Sequence, residues 1–198
     1  MDVVVMAAGE GRRLRPLSER WPKPVLPIDG RPVIASVMRE LGAAGFTRAT
    51  VVTGHLAEQV ESLLGDGGAF GLELRYARQP SPDGSADAVR WAIAAGAKPP
   101  LLATAADTLF APGDVRRFVD AFEASGAAAA IAGRPDGSWA PLWCLTEVVS
   151  LDDLPGPPYE LLEAVERAGV PVERIEIGNT RDLTNPLDLV KENFSYLR

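Results

Sequence analysis

The sequence predicts an α/β protein in three layers, with helices on both faces of a doubly wound, mostly parallel sheet. Short apolar runs alternate with segments of helical periodicity, which is typical of repeated βαβ units. The first run, residues 3–6, is continuously apolar and rich in β-branched side chains, as expected for a strand buried on both faces. With 198 residues, of which 46% are hydrophobic and 24% charged, the chain suits one compact domain.

The other elements follow in the same alternation. After a stretch rich in Gly, Arg and Pro (7–27), Val33, Ile34, Val37 and Leu41 give the first helix its apolar face. Helices are predicted wherever apolar residues recur at three- and four-residue spacing, at 32–44, 57–64, 86–96, 112–125, 159–168 and 186–194. Strands are predicted at the short apolar or alternating runs, at 50–53, 72–77, 101–104, 127–132, 141–145 and 172–177. Residues 152–158 form a loop rich in Pro and Gly rather than a domain boundary.

Bulk composition excludes several classes of function. The formal net charge of -7 disfavours nucleic acid and anionic lipid as partners, so an anionic substrate would need a local cluster of cations. Cys144 is the only cysteine and His55 the only histidine, which rules out an intrachain disulfide and a Cys/His zinc site. Neither a signal peptide nor a membrane span is expected, and the cytosol is the predicted compartment.

A glycine-arginine loop (residues 8–15) follows the first predicted strand. Gly9 and Gly11 allow the backbone to approach a phosphate closely, and consecutive N–H groups can form an anion-binding nest. Arg12, Arg13 and Arg15 supply guanidinium groups, which match phosphate oxygens in a bidentate way. The alternative is an ordinary tight turn. The loop is the cation cluster that an acidic protein needs to bind a polyphosphate.

A lysine held between prolines follows at short range. Pro22 and Pro24 place Lys23 in a stiff segment, from which its ammonium group could stabilise a transferring phosphoryl group. The chain has only two other lysines, Lys98 and Lys191, so this placement indicates a specific role. The alternative is a solvated lysine in a rigid loop.

These two segments together resemble the signature of the nucleoside-diphosphate-sugar pyrophosphorylases, the nucleotidyltransferase family A superfamily, over roughly the first 110 residues. The resemblance implies a Rossmann-like fold of the nucleotide-diphospho-sugar transferase type. It also implies catalytic roles for Arg13 and Lys23 in stabilising the reacting phosphates. The nucleotide-binding residues it implies here are Ala8, Gly9, Gly11, Arg12, Arg13 and Lys23. Arg12 stands where the family commonly has Ser or Thr.

A second motif, around Gln79, concerns recognition of the base of a bound nucleotide. Gln79 carries a donor and an acceptor, which suits a base edge, although a loop glutamine in water is the simpler interpretation of it alone. The run from Tyr76 to Ala88 is similar to the base-reading loop of glucose-1-phosphate thymidylyltransferases, with Gln79 and Gly84 at its contacting positions. That similarity implies nucleotide contacts from both residues and favours dTTP or UTP. Asp87 replaces the glutamine that is usual in those enzymes.

Two carboxylates are the candidate metal ligands. Asp107 ends a predicted buried strand, where a carboxylate and substrate phosphates could hold Mg²⁺. A helix N-cap is the alternative for Asp107, but Pro112 and Asp114 are better placed to start the next helix. The segment around Asp182 resembles the family stretch that supplies the second Mg²⁺ contact. Within it, Asn185 is also predicted to cap the last helix.

The predicted function is Mg²⁺-dependent transfer of a nucleoside monophosphate from a nucleoside triphosphate to a sugar 1-phosphate or similar acceptor. One domain (1–198) would carry a nucleotide-binding half (1–110) and an acceptor-binding half (111–198). A compact guanylyltransferase of the molybdenum-cofactor or cobinamide type is an alternative, as is a non-catalytic nucleotide-binding regulatory subunit. The sequence does not identify the acceptor. It does not determine the oligomeric state either, for which a homodimer is one option.

The acceptor half has no lysine between Asp107 and Asp182, whereas thymidylyltransferases of the family supply one there. Its candidate cations are Arg116, Arg117, Arg134, Arg167 and Arg174. Trp139 could stack on a sugar face, although a tryptophan considered alone is more typical of the core.

Overall fold

A computed structural model describes residues 1–147 and 160–194 of the chain. Its strands are β1 (Asp2–Ala7), β2 (Pro27–Ile28), β3 (Arg31–Pro32), β4 (Arg48–Thr53), β5 (Glu73–Arg78), β6 (Leu101–Ala105), β7 (Thr108–Leu109), β8 (Ala129–Gly133), β9 (Trp139–Leu145), β10 (Val172–Glu176) and β11 (Arg181–Asp182). Its α-helices are α1 (Val33–Ala43), α2 (Ala57–Leu64), α3 (Ser85–Ala94), α4 (Asp114–Ser125), α5 (Leu161–Arg167) and α6 (Pro186–Phe194). Every helix within these described ranges is too short or too polar to span a bilayer.

Seven strands form one sheet, in the order β10-β8-β9-β6-β1-β4-β5. β1 pairs in parallel with β4 on one side and with β6 on the other, so the first strand lies in the interior of the sheet. β9 is antiparallel to both of its neighbours, β6 and β8. The prediction of a mostly parallel α/β sheet is therefore confirmed.

Helices cover both faces of the sheet and bury two apolar clusters. Alternate residues of β1 point to opposite faces, as the pleat of a strand requires. Val3 and Val5 pack with the apolar sides of α1, α2 and α4. Val4 packs on the other face with α3 and α5. The continuously apolar sequence of β1 follows from this burial on both sides.

The predicted helices and strands are all present, with ends that differ by a few residues. α4 begins at Asp114 after Gly113, which has a left-handed backbone (φ 80), so the predicted start at Pro112 is wrong. The short strands β2, β3, β7 and β11 were not predicted, because pairs of two residues carry no periodicity. The loop predicted at 152–158 lies outside the described residues.

Substitution of Phe118 by Ala is expected to lower the free energy of unfolding by about 3–5 kcal/mol, because the lost side chain leaves a cavity in the core. Phe118 is 0% exposed and lies between α4 and the sheet. The control is Phe194→Ala on α6, where the side chain is 59% exposed and a change within about 0.5 kcal/mol is expected. Urea unfolding of both variants measures this, and equal losses would contradict the described core.

Candidate active site

Two adjoining cavities of about 230 and 490 Å³ lie at the carboxyl ends of the strands. They share Gly9, Arg13, Lys23 and Asp107, so they form one cleft. The ten residues predicted to bind nucleotide or metal all line it: Ala8, Gly9, Gly11, Arg12, Arg13, Lys23, Gln79, Gly84, Asp107 and Asp182. The structure brings these residues together, and their chemical roles remain predictions.

A hollow of about 590 Å³ lies at the opposite edge, beside the amino ends of β1, β4 and β5. It is larger than either part of the cleft, but it contains no part of the glycine-arginine loop. Ligands of doubly wound sheets bind at the carboxyl ends of the strands, so the cleft is the better candidate.

The glycine-arginine loop is held in place by contacts on its inner side. Gly11 has a left-handed backbone (φ 63) and introduces a 3₁₀ turn over Arg12–Leu14. Leu14 is fully buried in a small apolar cluster with Leu26 and Leu183. The His55 Nε2 atom lies 2.7 Å from the Ser18 carbonyl oxygen just beyond the loop. The only histidine thus has a structural contact, in agreement with the absence of a nucleophile motif.

The three arginines of the loop differ in their surroundings. The Arg12 Nε donates to a Glu10 carboxylate oxygen at 2.7 Å, and Arg15 lies 3.7 Å from the same oxygen. The hydrogen bond from Arg12 lowers the pKa of Glu10 below its ordinary value. Arg13 is exposed and has no ion-pair partner within the described residues. Its guanidinium is therefore available to an anionic ligand.

Lys23 and Asp107 form an ion pair at the centre of the cleft, with side chains that are 18% and 19% exposed. Asp107 reaches this position because the Ala106 N–H donates to the Met6 carbonyl at 3.0 Å, which ties the end of β6 to β1. The interpretation of Lys23 as a solvated surface lysine is wrong. A largely enclosed ammonium is a strong local charge in a cleft that would receive phosphates.

Asp182 belongs to the second half of the chain, and it reaches the cleft because β11 pairs with β7. The Thr108 hydroxyl donates to Asp182 Oδ1 at 2.8 Å, and Arg134 forms an ion pair with Oδ2. The Leu183 N–H donates to the Asp107 carbonyl at 3.2 Å. These contacts bring the two predicted metal ligands to one side of the cleft.

Gln79 lies immediately after β5 and is 4% exposed, so its interpretation as a glutamine in water is wrong. Its side-chain nitrogen donates to the Gly84 carbonyl at 3.3 Å and to Asp87 Oδ2 at 2.7 Å. The same loop therefore holds the two residues predicted to contact the base.

The profile of the nucleotidyl transferase family matches residues 2–138, which contain the glycine-arginine loop, Lys23, Gln79 and Asp107. The chain belongs to this family. Among its relatives, N-acetylmuramate alpha-1-phosphate uridylyltransferase from Neisseria meningitidis is 40% identical over 81 residues, 41% of this chain and 35% of that protein. Glucose-1-phosphate thymidylyltransferase from Streptomyces antibioticus is 36% identical over 89 residues, 45% of this chain and 25% of that protein.

These alignments cover about a third or less of each relative. A crystal structure from Bacillus anthracis, assigned as a glucose-1-phosphate thymidylyltransferase and solved in complex with a sucrose, superposes with a TM-score of 0.87. It covers 98% of this chain and 94% of its own, at 20% sequence identity. This likeness confirms the nucleotide-diphospho-sugar transferase type of fold.

Two carboxylates fit a magnesium ion better than a transition metal. The described residues contain no group of three or more His, Cys, Asp or Glu side chains arranged around one point. Mg²⁺ is usually held by one or two carboxylates together with substrate phosphates and water. Asp107 and Asp182, the two predicted ligands, both line the cleft and would match that number.

Arg134 holds one of the cleft residues, Asp182, in an ion pair, and the sequence did not reveal this contact. Besides Asp182, it contacts the Thr180 hydroxyl at 2.5 Å and the Ser138 hydroxyl at 3.2 Å. Sequence analysis named it only as one of five candidate cations, without a motif. Five residues that were not predicted line the cleft: Thr108, Thr184, Pro141, Trp143 and Glu160.

Among the other candidate cations, Arg116, Arg117 and Arg167 pair with acidic residues one helical turn away on their own helices. Arg174 lies 5.1 Å from the centre of the Trp139 ring. Trp139 is 46% exposed, so its interpretation as a core residue is wrong. Its side chain is absent from the lining of the cleft, whereas Pro141 and Trp143 on the same strand are present.

Gly11→Ala is expected to weaken binding of inorganic tripolyphosphate. A Cβ at Gly11 would lie 3.2 Å from the Ser18 Cβ and 3.3 Å from the Lys23 Cβ, so the lysine would have to move. Gly45→Ala is the control: it has a similarly left-handed backbone (φ +92) but no atom within 4 Å. Both should cost about 1–2 kcal/mol of stability. Calorimetry should show lost affinity for Gly11→Ala alone, and unchanged binding in that variant would contradict the described loop.

Proposed function

We propose that the chain transfers a nucleoside monophosphate from dTTP or UTP to a sugar 1-phosphate or a similar phosphorylated small molecule, with release of pyrophosphate. The observation that carries this proposal is the convergence in one cleft of the glycine-arginine loop and the pair of Lys23 with Asp107. Within the loop, Arg13 has no ion-pair partner among residues 1–147 and 160–194. Family membership supports it, and the relatives' names include uridylyl- and thymidylyltransferases.

In this reaction an oxygen of the acceptor phosphate attacks the α-phosphorus of the triphosphate, in line with the departing pyrophosphate. The acceptor is already an anion, so the cleft needs no general base. Arg13 and Lys23 would bind the phosphates and stabilise the negative charge that shifts to the leaving group. The glycine-arginine loop would hold the triphosphate in the orientation for attack.

A magnesium ion would be held by Asp107 and Asp182. When bound, it would neutralise charge on the phosphates and help to orient them. Lys23 would then exchange its contact with Asp107 for the phosphates, while Arg134 would keep Asp182 in place through their ion pair.

The base would lie against Gln79 and Gly84, at the end of the cleft away from Gly11 and Arg12. The sugar of the acceptor would lie near Pro141, Trp143 and Glu160, which line the same cleft. The buried indole nitrogen of Trp143 has no hydrogen-bond partner in residues 1–147 and 160–194. A sugar hydroxyl is an acceptor that could satisfy it.

The test is pyrophosphate release by the purified protein with Mg²⁺, for each nucleoside triphosphate against a panel of sugar 1-phosphates and other phosphomonoesters. Release with dTTP or UTP is the expected result, and the responding acceptor identifies the substrate class. Release with GTP alone would contradict the proposed specificity for dTTP or UTP and would favour the alternative of a compact guanylyltransferase. Nucleotide binding without release for any pair would favour a regulatory subunit.

Lys23→Ala is expected to lower turnover by about 100- to 1,000-fold, because it removes a preorganised charge at the reacting phosphates. Lys98→Ala is the matched control, since Lys98 is exposed at the opposite edge of the sheet. Steady-state rates measure the difference, and circular dichroism checks that both variants are folded. Full activity of folded Lys23→Ala would rule out the role given to this lysine.

A further inference from the structure

The side-chain amide of Gln79 has only one chemically acceptable orientation. One of its terminal atoms lies 2.7 Å from Asp87 Oδ2 and 3.3 Å from the Gly84 carbonyl oxygen. A carbonyl oxygen and a carboxylate oxygen accept hydrogen bonds, so the atom that meets both must be the amide nitrogen. The other terminal atom, Oε1, is consequently the one left for a ligand.

Asp87 is held as firmly as the glutamine that it orients. It lies in the first turn of α3, and its side chain is 20% exposed. The Trp91 indole N–H donates to the same Oδ2 at 3.1 Å, and an Arg90 guanidinium nitrogen lies 3.7 Å from Oδ1. Donors thus surround the carboxylate, and Gln79 contributes one of them.

Gln79 Oε1 receives no hydrogen bond from any side chain or backbone group in the described residues, whereas its NH₂ group donates twice. Gln79 lines the cleft together with Gly84 and Ala88. The cleft therefore offers an acceptor rather than a donor at this point. A base that presents a ring N–H to Gln79 would form a hydrogen bond there, and a base with a lone pair in the same position would not.

We propose that Asp87 is a positioning residue for base selection: it holds Gln79 with its oxygen toward the cleft, which favours uracil or thymine over cytosine. This inference rests on the proposed nucleoside triphosphate substrate. Uracil and thymine carry N–H at ring position 3, where cytosine carries a lone pair. Asp87 acts through Gln79 and makes no contact with the base itself.

UTP and CTP are the probes, because they share ribose and triphosphate and differ only at ring positions 3 and 4. Calorimetric dissociation constants without acceptor make the test independent of turnover. The wild-type chain should bind UTP about tenfold more tightly than CTP, the factor expected for one well-placed hydrogen bond. Equal affinities, or a preference for CTP, would overturn the inference.

Asp87→Asn is the first variant. An asparagine amide can donate as well as accept, so only the 3.3 Å contact with the Gly84 carbonyl still favours the native orientation of Gln79, and its NH₂ group can turn toward the cleft more readily. The UTP preference should fall to about twofold, mainly through tighter CTP binding. Asp83→Asn makes the same chemical change in the preceding loop and should keep the wild-type preference. A wild-type preference in folded Asp87→Asn would overturn the inference.

A paired exchange separates positioning from a merely structural role. Gln79→Glu alone sets two carboxylates against each other and should lose UTP binding. Gln79→Glu combined with Asp87→Asn keeps the net charge of the pair, and the new glutamate again offers an oxygen to the cleft. The combined variant should recover part of the UTP binding lost by Gln79→Glu, together with a preference for UTP over CTP, because only the weaker donation to the Gly84 carbonyl is missing. If the combined variant regains neither UTP binding nor the preference for UTP, the inference is overturned. The comparison of Gln79→Glu with the combined variant can still be made if Asp87→Asn alone does not fold.

These measurements distinguish the inference from the proposed function. Selective UTP binding that follows the predicted variants, without pyrophosphate release for any acceptor, would support the role of Asp87 and contradict the transferase. Pyrophosphate release with equal use of UTP and CTP would support the transferase and contradict the role of Asp87. Absence of nucleotide binding would contradict both.

Discussion

The ion pair between Lys23 and Asp107 is the contact around which the cleft is arranged. It joins the loop that follows β1 to the end of β6, so two parallel neighbours in the sheet meet through opposite charges. The Lys23 side chain is largely enclosed, so its ammonium needs a charge partner nearby to offset the loss of water, and Asp107 provides it. A ligand with phosphates and a metal ion would offer both groups alternative partners.

The same arrangement recurs at the other candidate metal ligand. Asp182 pairs with Arg134, as Asp107 pairs with Lys23, and both aspartates lie beside the short pairing of β7 with β11. Each half of the chain therefore contributes one carboxylate to the cleft, and each carboxylate is paired with a cation from its own half. Each ion pair balances the charge of its aspartate, whereas Arg13 has no ion-pair partner in the part of the chain that the structure describes, so its guanidinium is available to an incoming anion.

Local patterns, together with the family resemblance, were enough to predict the fold and ten of the residues that line the cleft. Glycines after an apolar strand, and a lysine between prolines, are features of neighbouring residues, and their proximity follows from the parallel sheet. The pairing of Arg134 with Asp182 spans 48 positions and depends on β7 and β11, which are too short to show periodicity. The exposure of Trp139 and the burial of Gln79 were missed because both depend on packing between distant elements.

The most direct measurement follows the phosphorus atoms of UTP or dTTP in the presence of a sugar 1-phosphate. Two samples of triphosphate, one labelled at the α-phosphorus and one at the γ-phosphorus, are incubated with the protein and Mg²⁺. Nucleotidyl transfer predicts that the α label enters the acceptor product and that the γ label leaves in pyrophosphate. Transfer of the γ label to the acceptor, or retention of both labels in unreacted triphosphate with every acceptor, would contradict the proposed function.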